Sequence, residues 1–271
     1  MKAIAMHGFT LTLLLILCVC FPATLRAGPL YASIGNGGIQ FGTVALGTGD
    51  FTYIDRSLDN GIRALAFGPD GALYAAIGNG GIQFGTVDLS TGDFTYIDRS
   101  LDNGIEALAF APDGTLYAAV GNGGIQFATV DPTTGDFTYI DRSLDNGIQA
   151  LAFGLDGSLY AAIGNGGIQF ATVDLATGDF AYIDRSLDNG IRALAFDADG
   201  TLYAAIGNGG IQFGMVDILT GDFTYIDRTL DNGIQALAMQ PHLVSEPTAV
   251  ALALLALVLL GRRRQSTHGV I

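Results

Sequence analysis

The segment GNGGIQFGTVDLSTGDFTYIDRSLDNGI, residues 78–105, decides the fold because the chain repeats it almost letter for letter. Near-copies begin at residues 35, 121, 164 and 207, and a Leu-Tyr pair upstream of each copy recurs every 43 residues from Leu30 to Leu202. Repeat periods of roughly 40–50 residues are typical of β-propellers and of helical or β arrays. The secondary structure within one repeat therefore decides between these architectures.

Each repeat contains four short runs rich in apolar and β-branched residues, separated by turn residues. In the second repeat these runs cover residues 62–67, 73–77, 82–88 and 94–98. The intervening Pro69-Asp70-Gly71 suits a type I turn, and Asn79-Gly80 is typical of a two-residue hairpin in which both residues have positive φ. No run has helical periodicity. Four antiparallel strands in 43 residues make one propeller blade.

The number of strands predicts a closed ring. Each strand type occurs five times, so we expect an all-β, five-bladed β-propeller over residues 28–241. The first blade lacks its inner strand, and residues 234–239 would supply it by pairing with residues 30–34, a 3+1 closure that leaves no exposed edge. A linear β-solenoid is the alternative, although solenoid repeats are usually shorter.

Residues 107–135, ALAFAPDGTLYAAVGNGGIQFATVDPTTG, resemble WD-type and, more closely, YVTN-type propeller repeats. The shared features are the Phe-x-Pro-Asp-Gly turn, the Leu-Tyr strand and the Asp-x-x-Thr-Gly turn; the Trp-Asp dipeptide is missing. The resemblance covers residues 30–240 and implies the fold rather than an activity. It also implies that the ALAF strand is innermost, with Ala107 and Ala109 allowing a narrow axis and Leu108 and Phe110 packing between blades.

The N-terminal residues 1–27 are typical of a secretory signal peptide: Lys2, an apolar run, and small Ala27 as the expected cleavage point. A membrane anchor is the alternative, but the apolar run is short for one. Cys18 and Cys20, the two cysteines of the chain, lie in this segment. The mature protein would therefore have no disulfide and no thiolate metal site.

The C-terminal residues 242–271 resemble a PEP-CTERM sorting segment. Glu246 and Pro247 precede an apolar stretch over residues 248–260, and Arg262, Arg263 and Arg264 follow it. Ser245 stands where the motif has its first Pro. The resemblance implies an exosortase-type sorting enzyme as partner and a short transmembrane helix before processing; a plain tail anchor with positive-inside arginines is the alternative. We expect an exported protein of the cell envelope or extracellular space, transiently membrane-anchored.

The net negative charge of the chain limits the classes of partner it can bind. All 26 acidic residues lie between residues 50 and 246, where there are seven Arg and no Lys, so this region has a net charge of −19. Such a surface repels nucleic acids and anionic membranes. We therefore expect no nucleic-acid partner, whereas neutral ligands or cations are compatible.

One face of the ring is expected to carry any ligand site. Alternate turns of a meander share a side, so the GNGG turns and the RSLDNG connections between blades lie on one face, and the PDG and TGD turns on the other. The candidate ligand-binding residues on the first face are Asn79, Asp98, Arg99, Asp102, Asn103, Asn122, Asp145, Asn146, Asp188 and Asn189. A structural interpretation competes, in which Asp98 pairs with Arg99 or a neighbouring blade and Asp102-Asn103-Gly104 forms a turn. A partial match to the sialidase Asp-box, Ser-x-Asp-x-Gly, is the third interpretation.

Catalysis is not expected. The repeats contain no His, Cys or Lys, and Glu106 is their only Glu, so we assign no catalytic residue and no cofactor. Calcium is a candidate ligand because Asp is abundant, although no EF-type loop is present. The sequence favours a non-enzymatic surface or matrix protein with multivalent binding of glycans or extracellular polysaccharide. A sialidase-like propeller glycoside hydrolase and a purely structural spacer are the alternatives.

The few differences between repeats are themselves informative. Residues 63, 106, 149, 192 and 235 are Arg, Glu, Gln, Arg and Gln, whereas GNGGIQF and LDNGI never vary. Recent duplication would preserve every letter, and selection for five equivalent sites would preserve the loops. Backbone requirements on Gly and Asn are a third cause of the same invariance.

Overall fold

Five four-stranded antiparallel sheets make up the part of the chain that the computed structural model describes, residues 28–35 and 37–241. The first blade contains β1 (Leu30–Ile34), β2 (Gln40–Val44) and β3 (Phe51–Asp55). The second contains β4 (Ile62–Phe67), β5 (Leu73–Ile77), β6 (Gln83–Val87) and β7 (Phe94–Asp98). The third contains β8 (Ile105–Phe110), β9 (Leu116–Val120), β10 (Gln126–Val130) and β11 (Phe137–Asp141).

The remaining blades repeat this order. The fourth contains β12 (Ile148–Phe153), β13 (Leu159–Ile163), β14 (Gln169–Val173) and β15 (Phe180–Asp184). The fifth contains β16 (Ile191–Phe196), β17 (Leu202–Ile206), β18 (Gln212–Val216) and β19 (Phe223–Asp227), and β20 (Ile234–Met239) follows. In the described ranges the only helical segments are two single 3-10 turns, Asn79–Gly81 and Asn208–Gly210.

The last strand closes the ring by joining the first blade, whose sheet order is β20-β1-β2-β3. Leu30 is paired with Met239, Ser33 with Ala236 and Ile34 with Ile234. The Gln240 N–H also donates to the Pro29 carbonyl at 3.0 Å, so the two ends of the propeller leave it side by side. These pairings confirm the predicted five-bladed propeller with 3+1 closure.

The sheets pack face to face around the axis through alternating small and large residues. The inner strands β4, β8, β12, β16 and β20 contact one another in a ring, as predicted for ALAF. Leu65 and Phe67 of the second blade pack against Ala236 and Ala238 of the first blade in one core cluster. The same Ala-to-Leu/Phe contact joins the second blade to the third. The alanines thus allow a narrow axis and also receive the larger side chains of the next blade.

Most aromatic side chains are part of this core. Tyr31 stacks on Phe41 with ring centroids 5.7 Å apart, and the equivalent Tyr–Phe pair recurs in the other four blades at 5.6–5.9 Å. The Phe of each pair is fully buried. Aromatic pairs at this separation stabilise the fold beyond simple burial. These residues therefore belong to the inter-blade core, as the sequence predicted.

The predicted terminal segments lie outside the described residues. This applies to the signal peptide with Ala27, to Glu246 and Pro247, and to the arginines at 262–264. Within residues 28–35 and 37–241, no helix is long and apolar enough to cross a membrane, and the apolar stretch predicted as a transmembrane helix is outside that range.

Close backbone packing between turns and connections explains why the glycines of GNGGI and DNGI do not vary. A Cβ on Gly104 in the connection would overlap the Gly80 carbonyl oxygen, and a Cβ on Gly81 would overlap the Ile105 carbonyl oxygen. The same two overlaps would arise at the other four junctions. At three junctions the first residue of the next inner strand also donates its N–H to the turn, for example Ile148 to Gly124 at 3.0 Å. The invariant glycines are thus required by close backbone packing.

We expect Gly104→Ala to destabilise the propeller by about 1–3 kcal/mol, because the new methyl group must displace the Gly80 backbone. Gly47→Ala is the matched control, since a Cβ there meets nothing within 4 Å and Gly47 has no positive φ. Urea unfolding of both variants measures the difference. Equal stability of the two variants would contradict the steric role of Gly104.

Candidate functional site

Each connection between blades begins against the outer turn of the next blade. The Asp98 carboxylate accepts a hydrogen bond from the Ser100 N–H at 2.7 Å, which fixes the start of the connection. A Cβ built on Gly135, in the TGD turn of the third blade, would lie 3.1 Å from the Asp98 Cβ and 3.2 Å from Leu101. The prediction had placed the TGD turns on the opposite face. Sheet twist, about 20–25° per strand pair, brings the outer strand of one blade towards that turn of the next.

Arg99 packs on an aromatic ring of its own blade. Its guanidinium carbon lies 4.1 Å from the Tyr96 ring centroid, and the four equivalent Arg–Tyr pairs have distances of 4.0–4.2 Å. The arginine is exposed, so this cation–π contact contributes about 0.5–1 kcal/mol. The alternative prediction, an ion pair between Asp98 and Arg99, is wrong. Among the described residues the one ion pair joins Arg63 to Glu106.

Asn103 links two blades through a side-chain hydrogen bond. Its amide nitrogen donates to the Tyr139 hydroxyl of the next blade at 3.0 Å. Asn60, Asn146, Asn189 and Asn232 make the same bond to the next tyrosine, at 3.0–3.4 Å. Together with the cation–π contacts, these bonds give each junction the same polar framework. Asn103, Asn146 and Asn189 therefore have structural contacts in addition to any ligand role.

Asp102 differs from Asp98 because it is exposed and no hydrogen bond to it is found among the described residues. The same holds for its counterparts Asp59, Asp145, Asp188 and Asp231. Asn79 and Asn122, in the GNGG turns, are also exposed. Next to them Ile82 is 46% exposed and would lie 3.6 Å from a Cβ on Gly104, so turn and connection form one surface. The sequence predicted this pairing correctly.

The GNGG turn itself differs from the two-residue hairpin predicted for Asn79-Gly80. Positive φ angles occur at Gly78, Gly80 and Gly81, and no residue other than glycine has one among the described residues. The connection between β5 and β6 therefore spans residues 78–82. Asn79 has an ordinary backbone conformation, so its backbone geometry does not explain why it is invariant.

A groove of about 290 Å³ opens at the junction that closes the ring. One wall is formed by Asp227, Asp231 and Asn232 of the last connection, and the other by Asp50, Phe51 and Tyr53 of the first blade. Asn232 reaches the Tyr53 hydroxyl across it at 3.4 Å. The Asn–Tyr bond and the Arg–Tyr contact recur at the other four junctions, and we call this groove and the four surfaces built from the same contacts the junction grooves. An aromatic floor with a polar rim suits a neutral, hydroxyl-rich ligand.

The acidic side chains do not form a metal centre among the described residues, where no three His, Cys, Asp or Glu side chains are placed to hold one ion. Many carboxylates instead cap turns. The Ser90 hydroxyl and the Ser90 and Thr91 backbone N–H groups donate to Asp88, and these bonds lower the pKa of its carboxyl group. Such turn carboxylates are already occupied, which leaves the Asp102 set as the free acceptors of the junction grooves.

A second polar site lies on the axis, at the end bordered by the GNGG turns. The five variable residues Arg63, Glu106, Gln149, Arg192 and Gln235 surround a shallow depression whose floor is formed by the inner-strand leucines. We call these five residues the axial ring. Arg63 Nε donates to a Glu106 carboxylate oxygen at 2.7 Å. Arg192 Nε and Nη2 both donate to the Gln235 amide oxygen, at 3.3 and 3.1 Å.

Every axial-ring residue is the extra residue of a β-bulge. In the second blade Ile62 pairs with Ile77 and Ala64 with Ala76, so Arg63 has no partner, and the same irregularity occurs at the other four positions. Bulges redirect side chains and are common beside functional sites. The sequence predictions did not include this site. The sequence feature that could have indicated this site is variation: positions 63, 106, 149, 192 and 235 differ between repeats, whereas the neighbouring residues are nearly constant.

No protein-family model and no curated protein matches this chain. Solved structures do. A chain of a nidogen/laminin complex aligns with a TM-score of 0.53 and 15% identity, covering 80% of this chain and 99% of that one. A protein of unknown function from Bacteroides thetaiotaomicron aligns with a TM-score of 0.50 and 16% identity, covering 80% and 62%.

The extracellular domain of a hybrid two-component system from B. thetaiotaomicron aligns with a TM-score of 0.43 and 20% identity. This match covers 76% of our chain and 28% of that domain. At 15–16% identity, the two alignments with TM-scores of 0.53 and 0.50 show the propeller fold alone.

Proposed function

We propose that this protein is a non-enzymatic binding scaffold that presents five equivalent junction grooves to a neutral glycan. The observation that carries the proposal is the five-fold recurrence of the same junction, with an Asn–Tyr bond between blades, an Arg–Tyr contact and an exposed carboxylate. Five linked weak sites gain avidity on a repetitive polymer without tight individual contacts. This design fits a protein of the cell surface or extracellular matrix.

The chemistry of the grooves supports binding rather than catalysis. Most glycoside hydrolases use two carboxyl groups with separate acid and base roles, and sialidases use a Tyr nucleophile, whereas the junction tyrosines here are hydrogen-bonded to Asn side chains. The exposed Asp residues are repeated identically at every junction, and the one Glu of the repeats, Glu106, is buried on the axis beside Arg63. A sialidase-like hydrolase is therefore the weaker proposal, and a structural spacer is what remains if no ligand binds.

The positions of the two ends support a surface-displayed orientation. Pro29 and Gln240 are hydrogen-bonded to each other beyond Met239, at the end of the inner strands opposite the GNGG turns. An anchor formed by the C-terminal segment would therefore attach on the side away from the GNGG turns and the axial ring. We propose that the protein is exported, held transiently by this segment and processed by an exosortase-type enzyme.

Ending the chain after Val244 removes residues 245–271 and tests the sorting proposal. We expect the truncated protein to leave the membrane fraction and appear in the soluble envelope or medium fraction, because the proposed anchor and its arginines are missing. Cell fractionation followed by immunoblotting measures this, with the full chain as control. The same distribution for both chains would argue against sorting by this segment.

Replacing the five exposed carboxylates Asp59, Asp102, Asp145, Asp188 and Asp231 by Asn tests the grooves. We expect retention on an immobilised neutral glycan, selected first on a glycan array, to fall at least about tenfold, because charged acceptors make the stronger hydrogen bonds and five sites act together. Changing one carboxylate alone should have a small effect. Surface plasmon resonance on the selected glycan measures both.

The matched control replaces Asp70, Asp113, Asp156 and Asp199 by Asn, which removes four carboxylates from the PDG turns, away from the groove lining. Full retention by the five-fold variant, or an equal loss in the control, would count against the grooves. Binding that needs calcium would implicate a bridging cation at the Asp102 set, and turnover of the glycan would favour the hydrolase. Absence of any array binding would favour the spacer.

A further inference from the structure

We propose that the axial ring is a single binding site for a small organic carboxylate, distinct from the five junction grooves. At these five equivalent positions on the axis the repeats supply different side chains: two Arg, one Glu and two Gln. Two guanidinium groups and one carboxylate give it a net charge of +1, inside a chain region whose net charge is −19. One monoanion would therefore neutralise it.

The two arginines of the ring have unequal partners. Arg63 directs Nε and Nη2 at one oxygen of Glu106, a carboxylate that is 9% exposed. Arg192 directs the same two nitrogens at Gln235, but this acceptor is a neutral amide and the distances are 3.1–3.3 Å. Charge-assisted bonds between arginine and carboxylate are typically about 2.7–2.9 Å long and roughly twice as strong as neutral ones. Arg192 thus lacks the anionic partner that Arg63 has.

The surroundings of Arg192 make its positive charge costly without an anion. Burial lowers the pKa of the Arg192 guanidinium, and repulsion from Arg63 lowers it further, while Glu106 acts in the opposite direction. Both guanidinium groups have N–H groups that the contacts with Glu106 and Gln235 do not use, because each group carries five donors. A carboxylate placed between them would satisfy donors from both sides and offset their mutual repulsion.

The shape of the site limits the ligand. The depression is open to solvent on one side, has the inner-strand leucines and alanines as its floor, and encloses only about 20 Å³ of space. Pockets that enclose drug-sized molecules measure roughly 300–1,000 Å³, so only the carboxylate group of a ligand enters the depression and its body stays outside. A planar carboxylate on a small body, such as acetate or a sugar acid, suits the fork of a guanidinium better than a spherical ion does.

Isothermal titration calorimetry at constant ionic strength tests this with sodium acetate, D-glucuronate, inorganic phosphate and D-glucose as probes. We expect one glucuronate per chain, weaker acetate binding through the same site and no heat from glucose at the axis. Arg192→Gln should weaken carboxylate binding about ten- to a hundredfold, the loss expected for hydrogen bonds to a charged group. Glu106→Gln should strengthen it by at least about threefold, because a competing negative charge beside Arg63 is removed.

The chain itself provides the controls. Gln already occupies the equivalent positions 149 and 235, so both Gln variants place an accepted residue on the bulge. Arg185→Gln removes the same charge from a junction groove, where Arg185 packs on Tyr182 outside the axial ring, and should bind the carboxylate at the axis like the original protein. The five-fold Asp→Asn groove variant should also keep the axial site, so failure of the glycan proposal and failure of this one are distinguishable.

Several results would overturn the proposal. The first is that none of the three anions binds the intact protein. The second is that the Arg192→Gln and Arg185→Gln variants bind carboxylate equally well. The third is that Glu106→Gln weakens carboxylate binding. Tighter binding of phosphate than of both carboxylates would overturn the carboxylate assignment.

Discussion

The close approach of glycine residues to backbone carbonyl oxygens at each junction, which leaves no room for a Cβ, is the constraint on which the rest of the structure depends. Gly104 lies against Gly80, and Gly233 lies against Gly209 in the same way at the junction that closes the ring. Because no side chain fits between these segments, the turn of one blade and the connection to the next are held in a single geometry. The invariant glycines of GNGGI and DNGI follow from this packing without any reference to a ligand.

Five identical junctions produce a symmetric outer surface and, by the same geometry, a site on the axis that need not be symmetric. The bulge at the start of each inner strand turns one side chain per blade towards the axis. Five copies of one residue there would create either a highly charged ring or a set of unsatisfied amides. The observed set of two Arg, one Glu and two Gln instead forms two neighbouring pairs, Arg63 with Glu106 and Arg192 with Gln235. The propeller architecture therefore accounts both for the identical contacts at the five junctions and for the different residues of the axial ring.

The architecture could be predicted from the sequence because the repeat period, the strand patterns and the turn residues all indicate the same fold. The pairing of residues 30–34 with residues 234–239 followed from the number of strands. The junction contacts were harder to foresee, since the Asn103–Tyr139 bond joins residues 36 positions apart and depends on the twist of two neighbouring blades. Arg99 was expected near a carboxylate, but its own Tyr96 is closer across the end of the outer strand. The bulge at residue 63 leaves no mark in the residue pattern except variation, so the axial site required the structure.

Amide hydrogen exchange of the intact protein, followed by mass spectrometry, tests the closed ring most directly. If β20 completes the first blade, the amides of residues 30–34 and 234–239 should exchange as slowly as those of the continuous second blade, residues 62–67 and 73–77, because both pairs open only with global unfolding. Much faster exchange of residues 30–34 and 234–239 than of the second blade would show an open ring. That result would contradict the five equivalent junctions on which both proposed sites rest.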